Sequence, residues 1–317
     1  MPLKLVVLFV LCACLGLGSY AATADEEIPY LLTVSAKGDL ATVKAMLGSG
    51  TSPDTKDGNG ITALMYAARK NQFLIVSALL DAGADPNIQD NTGWTALMYA
   101  AKKDFIKSVT LLMDHKADPK IRDNQGWSAL GIASTSGFSD VVDVLLKNGV
   151  NANSKSDDGK SVLMYAANNG DVDTLKSLID NGANIEERDQ FGVTALMYAA
   201  RAGNLDATEY LLSKGAKLDN EDSSSWTALT WSVKKNKVPV TKALLAKGAD
   251  VNHKDSEGTP VLQVAVLNGS VEMVKLLLDS NANVKARDQY GLTALVYALK
   301  GKSPEIVQLI KQSGGSY

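Results

Sequence analysis

Gly60-Ile61-Thr62-Ala63-Leu64-Met65-Tyr66-Ala67-Ala68 returns as Gly93-Trp94-Thr95-Ala96-Leu97-Met98-Tyr99-Ala100-Ala101, and again as Gly192-Val193-Thr194-Ala195-Leu196-Met197-Tyr198-Ala199-Ala200. Steps of 33 residues from Leu31 land on Leu64, Leu97, Leu130, Leu163, Leu196, Leu229, Leu262 and Leu295, with no insertion or deletion. A fixed period in this range marks stacked supersecondary units, each too small to bury its apolar face alone. The 317-residue chain is therefore expected to form one elongated array rather than two compact domains.

Each unit reads as two short helices. The slot of Thr62 holds Thr or Ser in seven units (Thr62, Thr95, Ser128, Ser161, Thr194, Thr227, Thr293) and Pro in two (Pro29, Pro260), residues that suit a helix N-terminus. The slot of Ala67 stays small, so neighbouring helices can approach closely. The first helix is expected to stop at Gly38, Asn71, Asp104, Gly137, Gly170, Gly203, Asn236, Gly269 and Lys302, and all but Lys302 are residues that tolerate positive φ. A second helix carries Leu pairs such as Leu79-Leu80 and ends at a second such slot, where Lys116 is the exception in residue type. Asp-rich loops such as Asp85 to Gly93 have turn chemistry and link one pair to the next. In the seventh unit Ser223-Ser224-Ser225 replaces the Gly-bearing tip, which is expected to loosen that turn if it needs positive φ.

With those units laid out, the chain resembles the ankyrin-repeat family. The family pattern D-x-x-G-x-T-P-L-H-x-A-A falls on Asp90-Asn91-Thr92-Gly93-Trp94-Thr95-Ala96-Leu97-Met98-Tyr99-Ala100-Ala101, with Ala for Pro and Met for His. The resemblance covers essentially all of 25–317. It implies an all-α ankyrin solenoid of about nine 33-residue units with short β-hairpin-like connecting loops, the first and last units acting as caps. The family His ties repeats together, so the Met substitution is expected to replace that tie by apolar packing.

Residues 1–24 follow another rule. Lys4, an apolar run from Leu5 to Leu17 and the small-residue pattern Ala22-Thr23-Ala24 read as an export signal cleaved after Ala24. Thirteen apolar residues are too few to span a bilayer. A lipoprotein-type box at Leu11-Cys12-Ala13-Cys14 is a minor alternative. Both cysteines fall in this segment, so the exported chain is expected to carry no disulfide. The destination implied is a bacterial periplasm or the extracellular space. Net charge is −3, which leaves no strong basic field for nucleic acid.

Candidates for chemistry are few. His115 and His253 lie more than four units apart, about 40 Å at ~10 Å per packed helix layer, too far to share a metal or substrate. Gly159-Lys160-Ser161 ends like a phosphate loop, but the leading Gly is replaced by Ser154 and the segment is a repeat tip. Asp157-Asp158 and Glu186-Glu187 sit on inter-unit loops as turn residues rather than as an acid/base couple. The methionines Met65, Met98, Met164 and Met197 read as core. No catalytic, cofactor-binding or metal-binding residue is assigned, and a hydrolase or metal-dependent enzyme built on the array is the rival reading.

What remains is surface. The position after the tip Gly holds Trp94, Trp127 and Trp226, with Phe191 and Tyr290 at other tips. By the family resemblance these face the concave groove that holds protein partners, where aromatics contribute disproportionately to binding. The opposing reading is that each Trp packs on its neighbouring tip. Just past the first helix come Arg69-Lys70, Lys102-Lys103 and Lys234-Lys235, expected to align beside Trp94 and Trp127. The expectation is a monomeric, non-enzymatic protein-binding scaffold whose partner has an acidic, partly apolar surface. It would either support envelope proteins or inhibit a secreted enzyme or toxin.

Overall fold

The computed structural model describes residues 28–316. The expected export signal and both cysteines lie outside them. Nine helix pairs follow one another. The first helices are α1 (Tyr30–Lys37), α3 (Ala63–Arg69), α5 (Ala96–Ala101), α7 (Ala129–Ser136), α9 (Val162–Asn169), α11 (Ala195–Ala202), α13 (Ala228–Lys234), α15 (Val261–Leu267) and α17 (Ala294–Lys300). The second helices are α2 (Leu40–Gly48), α4 (Phe73–Asp81), α6 (Ile106–Asp114), α8 (Ser139–Lys147), α10 (Val172–Asp180), α12 (Leu205–Ser213), α14 (Val238–Ala246), α16 (Val271–Asp279) and α18 (Pro304–Gln312).

Six of the nine first helices start at a side-chain cap supplied by the sequence. The hydroxyls of Thr62, Thr95, Ser128, Ser161, Thr194 and Thr227 accept the backbone N–H three residues on, satisfying a donor the helix leaves free. Thr293 departs from this: its hydroxyl donates to the carbonyl of Ser316 at 2.9 Å, so the chain's end takes the group that caps elsewhere. The methionines also do more than pack. Met65, Met164 and Met197 are buried, and their Sδ atoms accept the N–H of Thr62, Ser161 and Thr194 at 3.5, 3.3 and 3.5 Å. The thioether thus satisfies a polar group while filling core volume.

The backbone turns left-handed on three slots per unit. Every positive-φ residue among the described residues falls on the first-helix stop, the second-helix stop or the loop tip. Lys302 and Lys116 obey this despite their residue type, with φ of 52° and 65°. Ser225 adopts φ 55°, so the seventh tip keeps the geometry of its neighbours and carries the steric cost of a Cβ there.

Packing runs along the array. Each first helix stacks on the first helices before and after it, and the second helices form a parallel row. Leu64, Leu97, Leu130 and their counterparts are fully buried between them, and so is the small slot of Ala67, Ala100 and Ala199. Ser232 takes that slot in the seventh unit and keeps its hydroxyl satisfied on the carbonyl of Leu229. The loops between units contain no extended strand among the described residues. Four of them close with a single antiparallel bridge, such as Lys56 with Thr62, so the hairpin-like expectation holds only in reduced form. At the C-terminal end Ile306 and Ile310 are buried while Lys311 faces solvent, which gives the last unit a polar outer face.

Candidate functional site

The tips and first helices together build one face from a recurring bracket. An Asp opens seven of the eight described tips (Ser156 opens the fifth unit's), and its Oδ1 accepts two backbone N–H groups of the turn. For Asp90 these are Thr92 at 2.8 Å and Trp94 at 3.0 Å. Asp57, Asp123, Asp189, Asp222, Asp255 and Asp288 do the same. In five of these the second oxygen accepts from an aromatic side chain nine residues on. Tyr66 donates to Asp57 at 2.9 Å, Tyr99 to Asp90 at 2.7 Å, Tyr198 to Asp189 at 2.7 Å, and the Trp231 indole to Asp222 at 2.8 Å. Tyr297 and Asp288 repeat the pair. In the fifth unit Tyr165 meets Ser156 and donates to Asp158 instead.

Charge distribution follows from these contacts. Burial, then the hydrogen bond to the carboxylate, pushes the Tyr99 and Tyr198 hydroxyls above their ordinary value. For Tyr297 the bond to Asp288 leads, with burial second, and the hydroxyl is pushed up to about 12. Burial pulls Asp90 upward, but the hydrogen bonds from Thr92 and Tyr99 outweigh it and hold the carboxyl below its usual range.

Cations cover the rings. The Arg69 guanidinium lies 4.8 Å from the Tyr66 centroid and 5.7 Å from that of Tyr99, one unit on. Arg201 bridges Tyr198 (4.7 Å) and Trp231 (5.3 Å) in the same register. Lys160 and Lys300 lie over Tyr165 and Tyr297. Such contacts contribute roughly 0.5–1 kcal/mol each at exposed sites.

The tryptophans are half-buried and pack on rings. Trp94 lies 5.0 Å from Tyr99, Trp226 lies 4.8 Å from Trp231, and Trp127 lies 4.8 Å from Tyr165 of the following unit. Trp226 also donates to Asp255 at 3.4 Å. Phe191 and Tyr290 are 56% and 74% exposed, so these two are the freely presented tip aromatics. Lys70, Lys103, Lys234 and Lys235 stand exposed at the C-terminal ends of α3, α5 and α13, where a cation also complements the helix dipole. Trp94, Trp127 and Lys102 do come together. They line an open cleft of about 560 Å³ with Asp123, Asn124, Ile132 and Thr135.

At that cleft the fourth unit breaks the bracket. Ile132 stands in the Tyr slot, Thr135 in the cation slot and Gly131 in the Met slot. With no ring at 132, Trp127 turns to Tyr165 and lies over Gly131, where a Cβ would meet the indole at 2.9 Å. Sequence reasoning overlooked the aromatic row, its Asp partners and the cations Lys160, Arg201 and Lys300. The signal was available: Asp and Tyr recur nine residues apart with the 33-residue period.

The candidates for chemistry have other partners. The His253 ring Nε2 meets the Ser225 carbonyl at 2.6 Å, bracing the seventh tip from the eighth unit. Lys160 pairs with Asp158 at 2.6 Å while Ser161 caps α9, so Gly159-Lys160-Ser161 is a repeat tip. Asp157 faces Arg122 at 3.5 Å, Glu187 pairs with Lys155, and Glu186 accepts from Lys217 and Asn220. Among the described residues no three His, Cys, Asp or Glu side chains gather as metal ligands would. No helix there is long and apolar enough to cross a membrane.

A stack of helix pairs with left-handed stops, capped first helices and bracketed tips defines a repeat solenoid. The family model for ankyrin repeats (three copies) matches residues 31–123, 74–156, 106–189, 163–255 and 240–316, and the chain belongs to that family. Among solved structures it is similar to the ankyrin repeat domain of human ASB11. There identity is 23% with a TM-score of 0.64, over 71% of this chain and all of that one, a likeness of fold. No curated protein matches the chain. Ankyrin repeats are in general scaffolds for protein–protein interaction.

Proposed function

We propose that the chain is an exported, monomeric, non-enzymatic scaffold that holds a partner protein along the face made by its tips and first helices. The observation that carries this reading is the row of aromatic rings under Arg69, Arg201, Lys160 and Lys300, interrupted only at Ile132 in the fourth unit and Val264 in the eighth among the described units. Large rigid rings fixed by hydrogen bonds lose little entropy on binding, which makes such a row an efficient contact surface. The cations favour a partner whose surface is acidic and partly apolar. Cys-free chemistry from residue 25 onward suits an oxidising destination.

Affinity capture from the compartment where the chain resides, read by mass spectrometry, tests the scaffold. Changing Trp94→Ala, Trp127→Ala, Lys102→Glu and Lys103→Glu together is expected to lose the captured partner. Unchanged capture overturns the assigned face. The mass of the processed protein tests export separately, since cleavage predicts Asp25 as the first residue.

A further inference from the structure

The opening in the fourth unit has the shape of a missing side chain. In Asp57, Asp90, Asp189, Asp222 and Asp288 the carboxylate oxygen not used by the turn accepts an O–H or N–H from the ring nine residues on. In the eighth unit, where Val264 replaces the ring, Asp255 takes the Trp226 indole. Asp123 differs from all of these. Its Oδ1 accepts from Gln125 and Trp127, while its Oδ2 has no donor among the described residues, although the residue is 9% exposed and lines the cleft. That oxygen opens onto the cleft rather than being sealed in the core, so a donor entering the cleft can reach it and form a charge-assisted hydrogen bond.

The surroundings select which donor. Ile132 forms an apolar floor, and Trp94 and Trp127 line the same opening. Arg69 reaches forward one unit to Tyr99, and Arg201 reaches forward to Trp231. By the same register Lys102 reaches forward to the place above Ile132, and it lines the cleft while donating to Ser136 at 3.1 Å. A cation there disfavours an incoming Lys or Arg and favours an aromatic face. An aromatic hydroxyl therefore satisfies every group present: the unpaired oxygen, the apolar floor, the flanking indoles and the cation.

We propose that this cleft receives a tyrosine side chain of the partner protein, whose hydroxyl donates to Asp123 and so completes in trans the bracket the other units complete in cis. The inference rests on the scaffold reading and names one anchor of its interface.

The test is an NMR titration of the full chain with N-acetyl-tyrosinamide, following the indole N–H signals of Trp94, Trp127, Trp226 and Trp231. Signals of Trp94 and Trp127 are expected to move and those of Trp226 and Trp231 to stay. N-acetyl-phenylalaninamide is expected to bind about tenfold more weakly, because one hydrogen bond to a charged acceptor is lost. Asp123→Asn should weaken the tyrosine probe while leaving the turn brace on Oδ1. Ile132→Tyr supplies the ring from the chain itself, in a slot that accepts it in other units, and should abolish probe binding. Equal binding of the two probes, titration unaffected by Ile132→Tyr, or no movement of the Trp94 and Trp127 signals overturns the proposal. Any of these with partner capture intact leaves the scaffold standing, whereas loss of capture on the assigned face is decided independently of the probe.

Discussion

Removing the hydroxyl of Tyr198 isolates the energetic worth of one bracket. Tyr198 and Asp189 are 5% and 7% exposed, and their oxygens lie 2.7 Å apart. Tyr198→Phe leaves the ring in place over its neighbours but strips a buried carboxylate oxygen of its donor. Hydrogen bonds to charged groups contribute about 1.5–3 kcal/mol, and the desolvated acceptor left behind costs at the upper end of that range. With a urea slope near 3 kcal/mol/M, the unfolding midpoint should fall by roughly 0.5–1 M. The matched control is Tyr210→Phe, because the buried Tyr210 hydroxyl has no hydrogen-bond partner among the described residues. That change should be neutral or stabilising. Adding Asp189→Asn, which keeps the turn-bracing oxygen, completes a double-mutant cycle with an expected coupling of about 1 kcal/mol or more. If Tyr198→Phe costs no more than Tyr210→Phe, or the cycle shows no coupling, the bracket is decorative and the reasoning fails.

Three further outcomes follow from the same geometry. Ser225→Gly and Lys116→Gly should each stabilise the chain by about 0.5–1 kcal/mol, since both positions hold φ near +60° with a Cβ present, and the gains should add because different units are involved; denaturant midpoints of the single and double variants check this. Tyr66, Tyr99, Tyr165, Tyr198 and Tyr297 all have folded values raised above the unfolded value near 10. Their contribution is therefore fully present below pH ~10 and is lost as pH rises through the folded values, so phenolate absorbance should lag that of the denatured chain and then rise with unfolding. Ala199→Leu should cost about 1–3 kcal/mol by overpacking the fully buried slot between α9, α11 and α13, measurable as a lower midpoint with unchanged slope.

The helical pairs were legible because each depends on contacts that recur locally. Thr62 caps a helix three residues away, and Gly or Asn at a stop slot meets a backbone requirement in its own turn. Lys116 and Lys302 show where residue type stops being a guide: helices packed on both sides impose the left-handed turn on side chains that do not favour it. The tip aromatics were only half legible. From the sequence Trp94 and Trp127 can either face the groove or pack on a neighbouring tip, and which of these each does depends on the residue at the Tyr slot, five residues on in its own unit or in the next. The brackets were hidden because they join Asp and Tyr across a turn, a spacing that neither helix nor strand periodicity displays.

Regularity and function pull apart in a repeat protein, and the fourth unit shows how. Stability in a solenoid is close to a sum over units and their interfaces, so a unit can give up its bracket without unfolding the array. Ile132, Gly131 and Thr135 together lack the ring, the thioether and the cation that the third unit carries as Tyr99, Met98 and Lys102. Asp123 still braces its turn through Oδ1, and its other oxygen, without a donor among the described residues, lines the cleft with Trp94, Trp127 and Lys102 of the unit before. A site built by subtraction from a repeat needs no new catalytic or binding segment, only one omitted side chain, and its specificity is then set by what was omitted. On that logic the partner's chemistry is written in the difference between unit four and its neighbours, and filling the gap with Ile132→Tyr should stabilise the scaffold by about the worth of one bracket, ~1.5–3 kcal/mol, while closing the cleft. A variant that gains stability and keeps its partner would separate the two effects and place the anchor elsewhere on the face.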